Sequence, residues 1–387
     1  MTTFEQRFAD ALAAIRARGQ WRETLPAQLA DGGRIWRGTR ELIDFSSNDY
    51  LGLARHPLLA ERAAEWTARL GAGAGASRLV TGTSEAHLAL EAKVAAFKGA
   101  KAALLFASGW QANAAVIPAL VAAAPGAAVF ADRLVHASMH AGCAAAGVRQ
   151  VRFRHNDLAH LEDLLATRGA VAPARIILTE SVFSMDGDRA DIAALAAIAQ
   201  RHDALLYVDE AHATGVLGPQ GRGLCAEIEG VGLVMGTFSK ALGGFGAYVA
   251  GPQGLRDYLV NACGGFIFST APPPSVLGAI DAALDLVPGM DTQRAHLAAL
   301  GDSLRAGLTE RGFDVAASST QIVPAIIGGE GETLALSARL LEASMLAAAI
   351  RPPTVPKGTS RLRLALRATH SEADIDALLD ALNGPRT

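Results

Sequence analysis

Between residues 100 and 250 the chain alternates short, nearly continuous apolar runs with stretches of helical periodicity. No other feature limits its fold as strongly. The runs 102–106, 128–131, 148–153, 175–179, 205–208, 233–236 and 247–250 are short, and several lack the polar alternation of a strand with one wet face. Such runs fit strands covered on both sides. Between them, residues 191–202 set Ile192, Leu195, Ile198 and Ala199 on one helical face. The pattern predicts an α/β domain with a mostly parallel mixed sheet between helices.

The Pro-rich segment Ala271-Pro272-Pro273-Pro274 breaks this pattern. Long helical stretches follow, with short strands expected at 321–327 and 361–366 and a last helix capped by Ser371. A division into a lead-in arm (1–45), a large domain (46–284) and a smaller C-terminal α+β domain (285–387) is expected for a chain of 387 residues. Half the residues are hydrophobic, enough for a sizeable core. The formal charge of −3 gives no electrostatic reason to expect nucleic acid or an anionic membrane as partner. The first 21 residues lack the apolar core of a signal peptide. The Ala-rich run 112–124 is interrupted by Asn113 and Pro118 and reads as a buried helix rather than a membrane span. Cys143, Cys225 and Cys263 lie far apart, which fits a reducing cytoplasm better than a disulfide framework.

Ligands of open parallel sheets sit beyond the carboxyl ends of the strands. In this chain those positions hold Ser108-Gly109-Trp110, His136, Glu180 to Ser184, Asp209 to His212, and Thr237 to Lys240. Lys240 is flanked by the hydroxyls of Thr237 and Ser239 and by Gly243, Gly244 and Gly246. It is either an ordinary surface lysine or the amine of a Schiff base, with hydroxyls for a phosphate and glycines for a close-approaching cofactor. Asp209 ends an apolar strand, where a carboxylate needs a positive partner such as a protonated pyridine nitrogen; the plainer alternative is a helix cap. His212 is placed to meet the hydroxyl of the same ring. The free N–H groups at Ser108-Gly109-Trp110 suit a phosphate.

Other readings fail on context. Asp209-Glu210-Ala211-His212 resembles a helicase motif, but no GxxxxGK[ST] loop precedes it. The glycines at 71, 73 and 75 follow a helical stretch, not the strand that a dinucleotide fingerprint requires. His136 and His140 have metal-like spacing without a third ligand, so no metal is expected.

Taken with Asn48-Asp49-Tyr50-Leu51-Gly52-Leu53, Gly75-Ala76-Ser77-Arg78, Thr81-Gly82-Thr83-Ser84, His136-Ala137-Ser138 and Ser184-Met185-Asp186-Gly187-Asp188, these motifs closely resemble the α-oxoamine synthases along nearly the whole chain. Those are pyridoxal-5′-phosphate enzymes of fold type I that condense an amino acid with an acyl thioester. The segment from Ile350 to Pro356, followed by Arg361-Leu362-Arg363, resembles the branch joining L-alanine to a pimeloyl thioester in biotin synthesis. The resemblance implies that Lys240 carries the cofactor and moves the α-proton, Asp209 pairs with the pyridine nitrogen, His212 meets the ring oxygen, and His136 stacks on the ring and contacts the substrate. It implies further that Ser108, Gly109, Trp110, Ser184, Thr237 and Ser239 line the cofactor site, and that Thr270 reaches the phosphate of a partner subunit in a homodimer. Arg351, with Thr354 beside it, would bind the amino-acid carboxylate, and Arg22 the acyl substrate. Trp110 departs from the Tyr or Phe usual in its slot. A sister enzyme using glycine or serine, a non-catalytic protein that binds the cofactor, and a zinc hydrolase are the competing readings.

Overall fold

The computed structural model describes residues 2–383. The seven apolar runs form one sheet: β1 (Ala102–Phe106), β2 (Ala128–Asp132), β3 (Val151–Phe153), β4 (Arg175–Glu180), β5 (Ala204–Asp209), β6 (Leu233–Thr237) and β7 (Ala247–Gly251). Their spatial order is β1-β7-β6-β5-β4-β2-β3. All neighbours are parallel except β7, which runs antiparallel to both β1 and β6.

Successive side chains of a strand point to opposite faces, and the packing follows that rule. Leu104, Phe106, Ile176 and Leu178 pack on one face with Val116 and Ile117 of the helix Gly109–Ala123. Ile177, Leu206 and Val208 pack on the other with Ile192, Leu195 and Ile198 of the helix Ile192–Arg201. The Ala-rich run is thus a buried helix against the sheet, and no described helix is long and apolar enough to cross a membrane.

β3 is shorter than its sequence suggests. Gly147 takes a left-handed φ of 67°, and the Val148 N–H closes onto the Cys143 carbonyl at 3.1 Å. The end of the preceding helix therefore uses residues that apolarity alone assigns to the strand.

Toward the C-terminus, β8 (Ile322–Gly328), β9 (Ala348–Ile350) and β10 (Ser360–Ala365) form an antiparallel sheet in the order β8-β10-β9. The helix Glu372–Leu382 begins at Ser371, whose side chain and that of Asp374 form a reciprocal capping box. In the lead-in segment, the helix Thr3–Ala17 buries no residue. The strand Arg40–Asp44 pairs in parallel with Met345–Leu346, three hundred residues later in the chain.

Candidate active site

Lys240 lies in the nine-residue connection between β6 and β7, which leaves the sheet at Thr237 and returns at Ala247. Gly243 lets that turn lie against the backbone of Leu53 and Ala54, because a Cβ there would sit 2.4 Å from the Ala54 nitrogen. The Lys240 Nζ is 2.7 Å from Nε2 of His212. Burial lowers the amine to a pKa of about 8, with Asp209 and Glu180 pulling the other way. Lys240 is therefore not an ordinary surface lysine.

His212 is buried, and its Nδ1 is 2.6 Å from the Tyr50 hydroxyl, which donates to Asn48 Oδ1 at 3.0 Å. That pattern assigns the proton to Nδ1 and leaves Nε2 to accept from Lys240. Burial, and then the charge of Lys240, hold His212 well below its usual pKa, so the ring is neutral. The Arg363 guanidinium, on β10, donates to Asn48 Oδ1 at 3.1 Å and to the Ser184 carbonyl at 2.6 Å. The small sheet thereby supports the lysine–histidine pair from behind.

Asp209 ends β5 and is 4% exposed, yet among the described residues no lysine or arginine is within ion-pairing distance of it. Its Oδ1 accepts from the Ala211 N–H and its Oδ2 from Asn113 Nδ2, both at 2.8 Å. Residues 211–216 form turns and not a helix, so the bond from Ala211 closes a local turn and the helix-cap reading does not hold; a carboxylate with two neutral donors retains lone pairs for a cation. Glu180, opposite Asp209 across β4 and β5, is pushed well above the carboxylate range by burial and by the Asp209 charge. Its Oε1 has no partner.

His136 caps the helix Ala137–Ala145, with its ring 6.0 Å from that of Trp110 in an edge-on arrangement. His140 turns away from it and bonds Gln150 Oε1 at 2.8 Å. No group of His, Cys, Asp and Glu among the described residues could hold a metal.

At the start of the helix Gly109–Ala123, the Ser108 Oγ accepts from the Gln111 N–H at 3.1 Å. The N–H groups of Gly109 and Trp110 belong to the first turn, which no helix satisfies internally. A Cβ at Gly109 would lie 2.7 Å from the Thr237 methyl, so only glycine brings that turn so close to the end of β6. The Thr237 Oγ1 is buried without a partner. An orphaned hydroxyl, a helix start and an unpaired carboxylate suit a ligand with a phosphate at one end and a basic ring at the other. Pyridoxal 5′-phosphate is such a group, with an aldehyde for the lysine.

The remaining sequence candidates make their bonds elsewhere. Ser239 and Thr270 are exposed, Thr270 in an isolated bridge with Ser77. Arg351 donates to the Gly19 carbonyl at 2.8 Å, which holds it against the segment carrying the exposed Arg22. Thr354 closes a turn onto the Arg351 carbonyl. None of these bonds reaches Lys240, His212 or Asp209. Sequence reasoning missed Asn113, Ser138, Tyr50 and Arg363 as parts of the network. The signal for Asn113 was a lone amide in an apolar run.

The chain matches the family model of aminotransferases of class I and II over residues 40–382. It is 59% identical to the 8-amino-7-oxononanoate synthase of Gluconacetobacter diazotrophicus, over 99% of this chain and 97% of that one. Among solved structures, the serine palmitoyltransferase of S. paucimobilis superposes with a TM-score of 0.90 at 27% identity, covering 97% and 96% of the two chains. The 8-amino-7-oxononanoate synthase of Francisella tularensis does so with 0.76 at 26% identity, covering 88% and 96%. Fold, motifs and full-length similarity agree: the chain belongs to the aminotransferase class I and II family, in the α-oxoamine synthase branch that holds the 8-amino-7-oxononanoate synthases.

Proposed function

We propose that this chain is a pyridoxal-phosphate-dependent 8-amino-7-oxononanoate synthase of biotin biosynthesis. The reaction joins L-alanine to a pimeloyl thioester and releases the thiol and the alanine carboxylate as CO₂. The observation that carries the reading is the Lys240 amine, 2.7 Å from a neutral His212, beside the buried Asp209. When bound, the cofactor supplies an electron sink for the amino acid's α-carbon. Lys240 then holds and moves the α-proton. Asp209 would keep the ring nitrogen charged, His212 would bond the ring oxygen, and His136 would cover the ring face and meet the substrate bound there. The first turn at Ser108, Gly109 and Trp110 would receive the phosphate with Thr237 and Ser239, and Ser184 would also contact the cofactor. Arg351 clamps the amino-acid carboxylate beside Thr354, while Arg22 meets the acyl chain.

A homodimer is part of this reading. Thr270 stands among exposed apolar side chains, Leu79, Val80 and Phe268, the last of them 85% exposed. Apolar exposure of that kind marks a surface covered by another protein. In the second copy's site Thr270 would reach the phosphate. The three free, buried cysteines accord with a cytoplasmic enzyme.

The test is the visible spectrum of the purified protein with L-alanine, glycine or L-serine, each with and without pimeloyl-CoA, with products identified by mass. A response to L-alanine and an amino ketone formed only with the pimeloyl donor are expected. A response confined to glycine or L-serine would move the chain to a sister activity, and a protein unable to take up pyridoxal phosphate would end the reading.

A further inference from the structure

Asn113 is fully buried in a mostly apolar helix, and burying an amide is costly unless its donors and acceptor are all met. Here they are. Its Oδ1 accepts from the Tyr207 hydroxyl at 2.6 Å. Its Nδ2 donates both hydrogens, one to Asp209 Oδ2 at 2.8 Å and one to Ser138 Oγ at 3.0 Å. Burial pushes the Tyr207 phenol far up, so it stays a donor and fixes which way the amide points.

The direction of these bonds has a chemical result. Ser138 Oγ accepts from Asn113, so its own hydrogen is free for His136 Nδ1, 2.7 Å away. The Ser138 backbone N–H approaches the same nitrogen at 3.3 Å. A ring nitrogen that receives two donors carries no proton, so neutral His136 keeps its proton on Nε2.

We propose that Asn113 and Ser138 are positioning residues that join the two ends of the site. One amide orients the Asp209 carboxylate and, through the Ser138 hydroxyl, fixes His136 as the Nε2–H tautomer, so that the open edge of its ring is a hydrogen-bond donor. What that donor faces rests on the synthase reading above, where it is the substrate bound over the cofactor. The tautomer itself does not. Several groups act on His136: partial desolvation and the charges of Lys240 and His140 oppose its protonation, and Asp209 favours it.

The experiment uses cofactor-free enzyme labelled with ¹⁵N-histidine, so it needs no substrate and stands even if the L-alanine reading fails. Long-range ¹⁵N–¹H spectra, with His136 assigned by its loss in His136→Gln, are expected to show a bare Nδ1 and a protonated Nε2. Ser138→Ala is expected to give mixed tautomers and a higher titration midpoint for His136, because a donor to the neutral form is lost. Ser138→Thr restores both. Asn113→Ala is expected to weaken cofactor binding about tenfold or more, since a bond to a charged group is removed, and Ser138→Ala to leave it within about threefold. Wild-type tautomer and midpoint in Ser138→Ala would overturn the proposal, and so would unchanged cofactor affinity in Asn113→Ala. If Asn113→Ala does not fold, the Ser138 pair of variants decides.

Discussion

The surroundings of Lys240 do not suit an ammonium ion. A free lysine side chain at pH 7 is uncharged in about one molecule in three thousand, whereas one with a pKa of about 8 is uncharged in about one in ten. Only the uncharged amine attacks an aldehyde. Covalent uptake of pyridoxal phosphate by the cofactor-free enzyme, followed by visible absorbance, should rise roughly tenfold between pH 6 and 7 and level off above about pH 8. A rate still climbing at pH 10 would show that the site does not lower the amine. At this scale Lys240, Asp209 and His212 were legible because each follows a strand of near-continuous apolar residues. Asn113 left a faint trace as a polar break in a buried helix. Tyr50 and Arg363 stood in the quoted motifs but without a role: they meet His212 and Asn48 across more than a hundred residues, and no local period records that.

Among elements, the strands of a mostly parallel mixed sheet were readable, but not their order or which strand reverses. Parallel neighbours need a crossover of about a dozen residues or more. The nine-residue connection between β6 and β7 is too short for one, so β7 must run antiparallel. The same sheet end holds a charged clamp. His155 follows β3 and bonds Asp132, the last residue of β2, at 3.0 Å, and Asp188, in the loop after β4, at 2.8 Å. Desolvation opposes its protonation, but these two carboxylates prevail and raise it to about 9. A histidine raised on folding stabilises the fold fully below its unfolded pKa near 6.5, and that contribution fades as pH climbs through 9. The difference is worth roughly 3 kcal/mol at most. His155→Gln should therefore lower the urea midpoint clearly at pH 6 and very little at pH 10. An equal loss at both would mean that the ring acts by shape alone, packed edge-on at 4.3 Å from Phe183.

Across the whole molecule, the two parts of the lead-in segment contribute unequally. The helix Thr3–Ala17 leaves Phe4 and Phe8 more than 60% exposed, whereas Ile35, Leu42 and Phe45 are buried in the core. Each of the latter contributes about 1.5–3 kcal/mol by burial, against a typical net stability of about 5–15 kcal/mol. Removing residues 2–17 should leave the circular dichroism melting curve nearly unchanged while raising KM for the acyl donor. Removing residues 2–46 should leave no cooperative transition. A cooperative melt in the longer deletion would mean that the small sheet stands without the strand Arg40–Asp44. The parallel pairing of that strand also sets a timetable for synthesis. Ile43 and Phe45 hydrogen-bond to Ser344 and Leu346, which the ribosome adds some three hundred residues later. At about 5–20 residues per second, the strand waits roughly 15 to 60 seconds with its partner unmade. For that interval the nascent chain exposes an open strand edge, and it is then, rather than in the finished enzyme, that this protein most needs a chaperone.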